Sequence, residues 1–357
     1  MGKKIAIILP YRANFNPATA GGLEIGVFYQ NKSSSFLDGI TVYGGPQAEP
    51  YKNFSYRSVS LGAYRMFGKN GGLSHALKNM WQKEMPDMFE VHNRAAVFMN
   101  LVSLLPDISS VLYLHNVPQT IKGLKTPPER ARVLAKASAI ICCSSWGKSR
   151  FCEGLSGDFS KLHVVVNGVP RPWEEKPKKE KIILFPNRLI KDKGTELFAE
   201  ALANVLPGYP EWHCLFVGAG DRDVLSNLER ILKPLGGRAE VHGLKPYDEV
   251  LELFGRSSII GVPVFCDEAF GRTAAEALAA GSALIATNRG GLDDILQRAG
   301  LCVEPTVVSM TDALEYLLAD EDQLLKEQEK SWNNFDYSVQ QTASQLEDVR
   351  ERLFLNT

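Results

Sequence analysis

Short apolar runs recur along this chain, each followed by a stretch with helical spacing, and the whole alternation occurs twice. In the first half the runs are KIAIILP (4–10), MFEVHN (88–93), VLYLHN (111–116), AIICCS (139–144) and LHVVVNG (162–168). In the second half they are IILFPNR (182–188), WHCLFVGAG (212–220), AEVHG (239–243), SIIGVPVF (258–265) and ALIATN (283–288). Runs that stay apolar at consecutive positions fit strands buried on both faces of a parallel sheet. Parallel neighbours need crossover segments. Helical spacing over 72–84, 127–138, 194–206, 221–235, 247–256, 271–280 and 309–318 supplies them, and Gly21-Gly22-Leu23-Glu24 opens another helix.

The chain has 357 residues, enough for two domains. RPWEEKPKKEK (171–181), preceded by Pro170, is dense in proline and mixed charge and reads as the linker. The expected architecture is α/β, with two Rossmann-like, doubly wound domains. They are 1–170 and 182–335, followed by a helical segment at 336–357 that docks on one of them. Ligands of such sheets bind outside the carboxyl ends of the strands, in a cleft, so chemistry is sought just after each apolar run.

Bulk properties exclude several classes. The formal net charge is −1, which argues against a nucleic-acid partner. No apolar run nears the roughly 18 residues that span a bilayer. The first run, Ile5 to Leu9, stops at Pro10, shorter than the about 7–15 residues of a signal peptide core. The six cysteines form no Cys-x-x-Cys pair and no His cluster accompanies them. They read as reduced thiols of a cytoplasmic protein without structural zinc.

Several strand ends carry polar groups. Gly21 and Gly22 at a helix start allow backbone N–H groups to approach an anion, or simply make a tight turn. Arg188 and Lys193 flank a loop before Gly194 and a helix. A fork and a point charge beside a helix start suit a diphosphate, and they equally suit a solvated basic loop. Gly218 in GAGD and Leu244 in HGLKP lie on turns where a nucleotide base or ribose fits. His92 and His115 end two strands. The most telling stretch is DEAFGRTAAEALAAG (267–281). Glu268 precedes a helix and Glu276 lies inside it, so the two are not partners on one helix face. They would meet different parts of one ligand lying across the helix start. The alternative is a capping box, Thr273-x-x-Glu276, with Glu268 favouring the helix dipole.

Together these residues resemble the family 4 glycosyltransferases, retaining enzymes of the GT-B fold. The resemblance runs through Gly21-Gly22, the strand-end His115, Asn167-Gly168-Val169, Asn187-Arg188-Leu189 with Lys193-Gly194, the Glu-x7-Glu element with Phe270-Gly271, Gly281, and the last helix. It implies that Glu276 takes the ribose hydroxyls and Glu268 the donor-sugar hydroxyls. Backbone near Phe270, Gly271, Arg272 and Thr273 would hold sugar or phosphates, with Gly218 and Leu244 beside the nucleoside. Arg188 and Lys193 would neutralise the leaving diphosphate, Gly21 and Gly22 would cover it, and His115 would lie near the reacting carbon. It further implies a UDP- or GDP-linked donor sugar, no metal or other cofactor, and a last helix crossing back onto the first domain. Asn116, Asn187 and Asp293-Asp294 depart from the residues common in the family, which bears on donor identity.

The first domain is expected to bind a glycan or lipid-linked acceptor in bacterial-type glycan, lipopolysaccharide or glycolipid assembly, with Tyr11, Arg12 and His92 in contact. Positive charge at Arg12, Arg57, Arg65, Lys69 and over 121–136 suits an anionic acceptor or the inner face of a membrane, and equally a solvated basic face. Two other readings stand beside the transferase: another GT-B nucleotide-sugar enzyme, epimerase or phosphorylase-like, and a non-catalytic sugar-nucleotide-binding module.

Overall fold

The computed structural model describes residues 2–355. The chain forms two compact units, one of residues 2–168 with the helix Val339–Leu355, the other of Val169–Ser338. The first holds seven strands: β1 (Ile5–Ile8), β2 (Ile40–Gly44), β3 (Ser55–Ser58), β4 (Met88–His92), β5 (Ser109–Leu114), β6 (Ala139–Cys142) and β7 (Leu162–Val164). They lie in the order β3-β2-β1-β4-β5-β6-β7, all parallel. The second holds β8 (Glu180–Pro186), β9 (His213–Val217), β10 (Ala239–His242), β11 (Ser257–Val262), β12 (Ala283–Thr287) and β13 (Leu301–Val303). Their order is β10-β9-β8-β11-β12-β13, again all parallel. In each sheet the winding reverses beside the first strand, between β1 and β4 and between β8 and β11. That reversal opens a crevice at the carboxyl ends of those two strands.

The apolar runs are continuous because both sheet faces are covered. In β1, Ile5, Ile7 and the following Leu9 join one buried cluster while Ala6 and Ile8 join another. Alternate side chains point to opposite faces, so each face needs its own apolar set.

The segment 171–181 is not a free linker. Trp173 packs over Gly255, where an added Cβ would lie 2.8 Å from the indole. Arg171 stacks on Trp332, its guanidinium carbon 3.3 Å from the ring centroid. Lys179 Nζ donates to the carbonyls of Phe254 and Gly255 and to Ser282 Oγ. The proline and charge content masked an aromatic anchor, Trp173, an arginine stacked on a tryptophan, and a half-buried lysine. The chain instead passes between units after 168 and after 338, and a β-bridge joins Val169 to Ser338.

The helix Val339–Leu355 completes the first unit. Leu346 and Val349 close a cluster with Met88, Val111, Tyr113 and Ile141. Arg350, fully buried, donates from Nε and Nη2 to the two oxygens of Glu90, at 2.7 and 2.8 Å, and from Nη2 to Asn31 Oδ1 at 2.8 Å. Glu347 accepts from the Ser34 and Ser35 hydroxyls, each at 2.9 Å.

Candidate functional site

In the second unit the crevice at β8 and β11 is where the sequence placed most of its polar groups. After β8 comes Pro186-Asn187-Arg188, then a short turn to Lys193. Gly194 sits at φ 72°, and a Cβ there would come within 2.0 Å of the Pro263 carbonyl oxygen. Only glycine lets these two loops touch. The Phe265 N–H donates to the Asp192 carbonyl at 2.9 Å. This stitching brings Lys193 Nζ onto Glu268 Oε1 as a largely buried ion pair. Arg188 is exposed and makes no ion pair among the described residues. Asn187 Nδ2 is buried and has no hydrogen-bond partner, a donor left over at the reversal point.

Glu268 is held by its backbone too. The Gly291 N–H donates to its carbonyl at 2.7 Å, and Gly290, at φ 65°, lies so close that a Cβ would sit 2.3 Å from the same oxygen. The helix Arg272–Ala280 follows. Its first turn has no side-chain cap, and Gly271 enters it at φ 98°. The capping-box alternative is therefore not realised: Thr273 is already inside the helix and its hydroxyl donates to the Pro186 carbonyl at 3.4 Å. An uncapped helix start suits an anion. Glu276 is 6% exposed, bonded to Tyr247 and Arg272. Phe270 buries its ring against Tyr337, so only its backbone is on offer. Gly218, at φ 152°, has a structural need: a Cβ would meet the Asn187 carbonyl at 2.1 Å. Leu244, after β10, is 55% exposed.

The first unit places its groups at the carboxyl ends of β1, β4 and β5. Gly21 caps the helix Gly22–Asn31, and its N–H donates to Glu24 Oε2 at 3.1 Å. That helix start is thus already partly satisfied by a carboxylate. Tyr11 and Arg12 line a groove of about 660 Å³ with Asn14, Leu61, Arg65 and Lys69. No carboxylate lines it. His92 Nδ1 and His115 Nε2 are 2.8 Å apart with the rings stacked, and the His115 N–H donates to Asn93 Oδ1 at 2.7 Å. Asn93 itself has φ 55°, a strained value for a residue with a Cβ.

One site assignment needs correcting. His92, expected to touch an acceptor, is 1% exposed. It ends β4, a central strand next to the reversal point. Its ring faces His115 and not solvent.

The model described as Glycosyltransferase Family 4 matches residues 35–171, and that described as Glycosyl transferases group 1 matches residues 171–336. The chain is a family 4 glycosyltransferase. The D-inositol 3-phosphate glycosyltransferase of Corynebacterium urealyticum is 24% identical over 93% of this chain and 87% of its own. An exopolysaccharide phosphotransferase of Streptomyces coelicolor is 27% identical over 63% of this chain, which spans only 24% of that protein. HepE of Anabaena, solved with UDP and glucose, superposes with a TM-score of 0.75 over 97% of this chain and 99% of that one, at 16% identity. The fold is GT-B.

Sequence reading of this glycosyltransferase missed Tyr247, the Gly290-Gly291 support of Glu268, and the burial of His92. A Gly-Gly pair after a strand was the available signal for the second. Among the described residues no group of three or more His, Cys, Asp or Glu side chains is placed to hold a metal, and no helix is long and apolar enough to cross a membrane.

His92 makes stability depend on pH. Burial, with the Arg350 charge adding to it, pushes its pKa down to about 3. In the unfolded chain it returns to about 6.5. Below pH 6.5 the unfolded state binds the extra proton, so the stability present above that pH is lost as pH falls toward 3. This one group should remove on the order of 3 kcal/mol between pH 7 and 4. Urea unfolding at both pH values, compared with His92→Gln, checks it. Equal pH slopes in the two proteins would refute it.

Proposed function

We propose that this glycosyltransferase moves a sugar from a nucleotide-diphosphate sugar, UDP- or GDP-linked, to an acceptor hydroxyl with retention of anomeric configuration. The observation that carries the reading is the group at the carboxyl end of β11: Glu268 paired to Lys193, an uncapped helix start, and Glu276 inside that helix. In the step proposed, the bond from the anomeric carbon to the phosphate oxygen breaks and a bond to the acceptor oxygen forms. The acceptor's proton passes to the departing phosphate. Negative charge grows on that phosphate, and Arg188, Lys193 and the helix start are the positive groups to meet it. The reaction on this reading needs no metal.

The acceptor is assigned to the first unit's groove. Arg12, Arg65 and Lys69 make it cationic, and Met66 and Phe67 beside it are exposed. A glycan or lipid-linked acceptor carrying an anionic group, met at the inner face of a membrane, fits cations flanked by exposed apolar side chains.

The test is a thermal-shift panel of UDP, GDP, ADP, CMP and their common sugar conjugates, run with and without EDTA and repeated on Glu276→Ala. A ligand at about 100 times its dissociation constant stabilises by roughly 2.7 kcal/mol. One nucleotide should shift the melting point, and the shift should vanish in the variant. Release of that nucleoside diphosphate should then rise when a lipid-linked glycan acceptor is added. No shift with any nucleotide would overturn the proposal. A shift that EDTA abolishes would overturn the metal-free part alone.

A further inference from the structure

Tyr247 is the first residue of the helix Tyr247–Arg256, directly after the loop 243–246 that follows β10. Its hydroxyl donates to Glu276 Oε1 at 2.6 Å, the length of a charge-assisted bond. Arg272 Nη2 donates to the same Oε1 at 2.9 Å and to the Tyr247 oxygen at 3.0 Å. Two helices thus converge on a single carboxylate oxygen. Glu276 Oε2 has no hydrogen-bond partner among the described residues and is not shut away from solvent.

This arrangement has three physical consequences. The carboxylate cannot rotate without breaking two strong bonds, so its orientation is fixed before a ligand arrives. Its charge is balanced by Arg272, which makes an almost fully buried carboxylate affordable. Tyr247 and Arg272 both donate to Oε1, and the outward Oε2 of a carboxylate charge-balanced by Arg272 carries no hydrogen, so it only accepts. An oxygen that only accepts, held at one angle, is complementary to neighbouring hydroxyl groups. It rejects a ligand that lacks one of them, because a buried polar group is then left unmatched.

We infer that Tyr247 is a specificity-setting residue: with Arg272 it aims the open oxygen of Glu276 at the paired hydroxyls of a ribose, so that the site selects ribonucleotides over 2′-deoxyribonucleotides. Tyr247 does not touch the ligand in this scheme; it is a positioning residue. It also ties the loop 243–246, with its exposed Leu244, to the ribose carboxylate, so base and ribose contacts share one register. The inference rests on the nucleotide-sugar reading above.

The test is calorimetric binding of UDP and 2′-deoxy-UDP, and of the corresponding GDP and ADP pairs, to the wild type and to Tyr247→Phe. The wild type should prefer the ribonucleotide of its best-bound pair by roughly tenfold to a hundredfold. Tyr247→Phe keeps the ring and its packing, so its melting point without ligand should stay close to the wild type's. It should still bind the ribonucleotide, more weakly, and its preference should fall to within about threefold. A merely structural tyrosine would weaken both members of the pair alike. An undiminished preference in Tyr247→Phe would overturn the inference while leaving the nucleotide reading intact. Failure of the wild type to bind any of the six nucleotides would overturn both, and would show in the wild type alone.

Discussion

Replacing Lys193 by alanine is expected to lower turnover about 100- to 1,000-fold, the usual cost of deleting one fixed group that meets developing charge. Lys193 is held where it is by Gly194 against Pro263 and by the Phe265–Asp192 bond. Its partner Glu268 would remain, only about a fifth exposed and now unpaired. Glu268→Ala should cost turnover of similar size. Because each side chain holds the other in place, the double variant should lose little more than the worse single one. Melting points should move far less than rates, since the pair lies at the mouth of a crevice and not in a core. Single-turnover release of nucleoside diphosphate measures the effect. Rates within threefold of wild type in Lys193→Ala would remove this pair from the chemistry.

Arg350→Met is expected to destabilise the first unit by about 3–5 kcal/mol. The substitution leaves Glu90 charged, 1% exposed and unpaired, which is the costly way to break a buried ion pair. For a unit of this size the melting point should drop by roughly 10 °C. Exchanging both partners, Arg350→Met with Glu90→Leu, should recover most of the loss, because two apolar side chains of similar volume can replace a buried pair. Calorimetry of wild type, single and double variants decides it. A single variant within 1 kcal/mol of wild type would mean that the pair is not closed in solution.

Much of this architecture was legible in the sequence because buried parallel strands announce themselves as apolar runs. Of the strands that escaped notice, β2 (ITVYG) is buried, but its run is interrupted by Thr41 and ended by Gly44, and the other two carry no such signal. β3 is SYRS, mostly exposed at the sheet's edge, and β13 is only three residues long. The segment 171–181 misled for the opposite reason. Its charges face solvent, but two of its residues are anchors whose partners, Gly255 and Trp332, lie about eighty and a hundred and sixty positions away. In the candidate site, the Glu-x7-Glu spacing singled out Glu268 and Glu276. It could not show that Glu268 is paired to Lys193, 75 positions earlier, or that Glu276 is held by Tyr247, 29 positions earlier. His92 looked like a rim residue because sequence reports that a histidine ends a strand, not whether that strand is central.

The helix Val339–Leu355 has a further consequence, for the order of events during synthesis. Residues 169–338 leave the ribosome as a complete unit, while the earlier-made unit still lacks Arg350, Leu346 and Val349. At roughly 5–20 residues per second the first half must wait on the order of ten seconds or more with Glu90 unpaired and an apolar sheet face uncovered. The half that is translated first is therefore the half completed last, and during that interval its uncovered apolar face is open to aggregation and to chaperones.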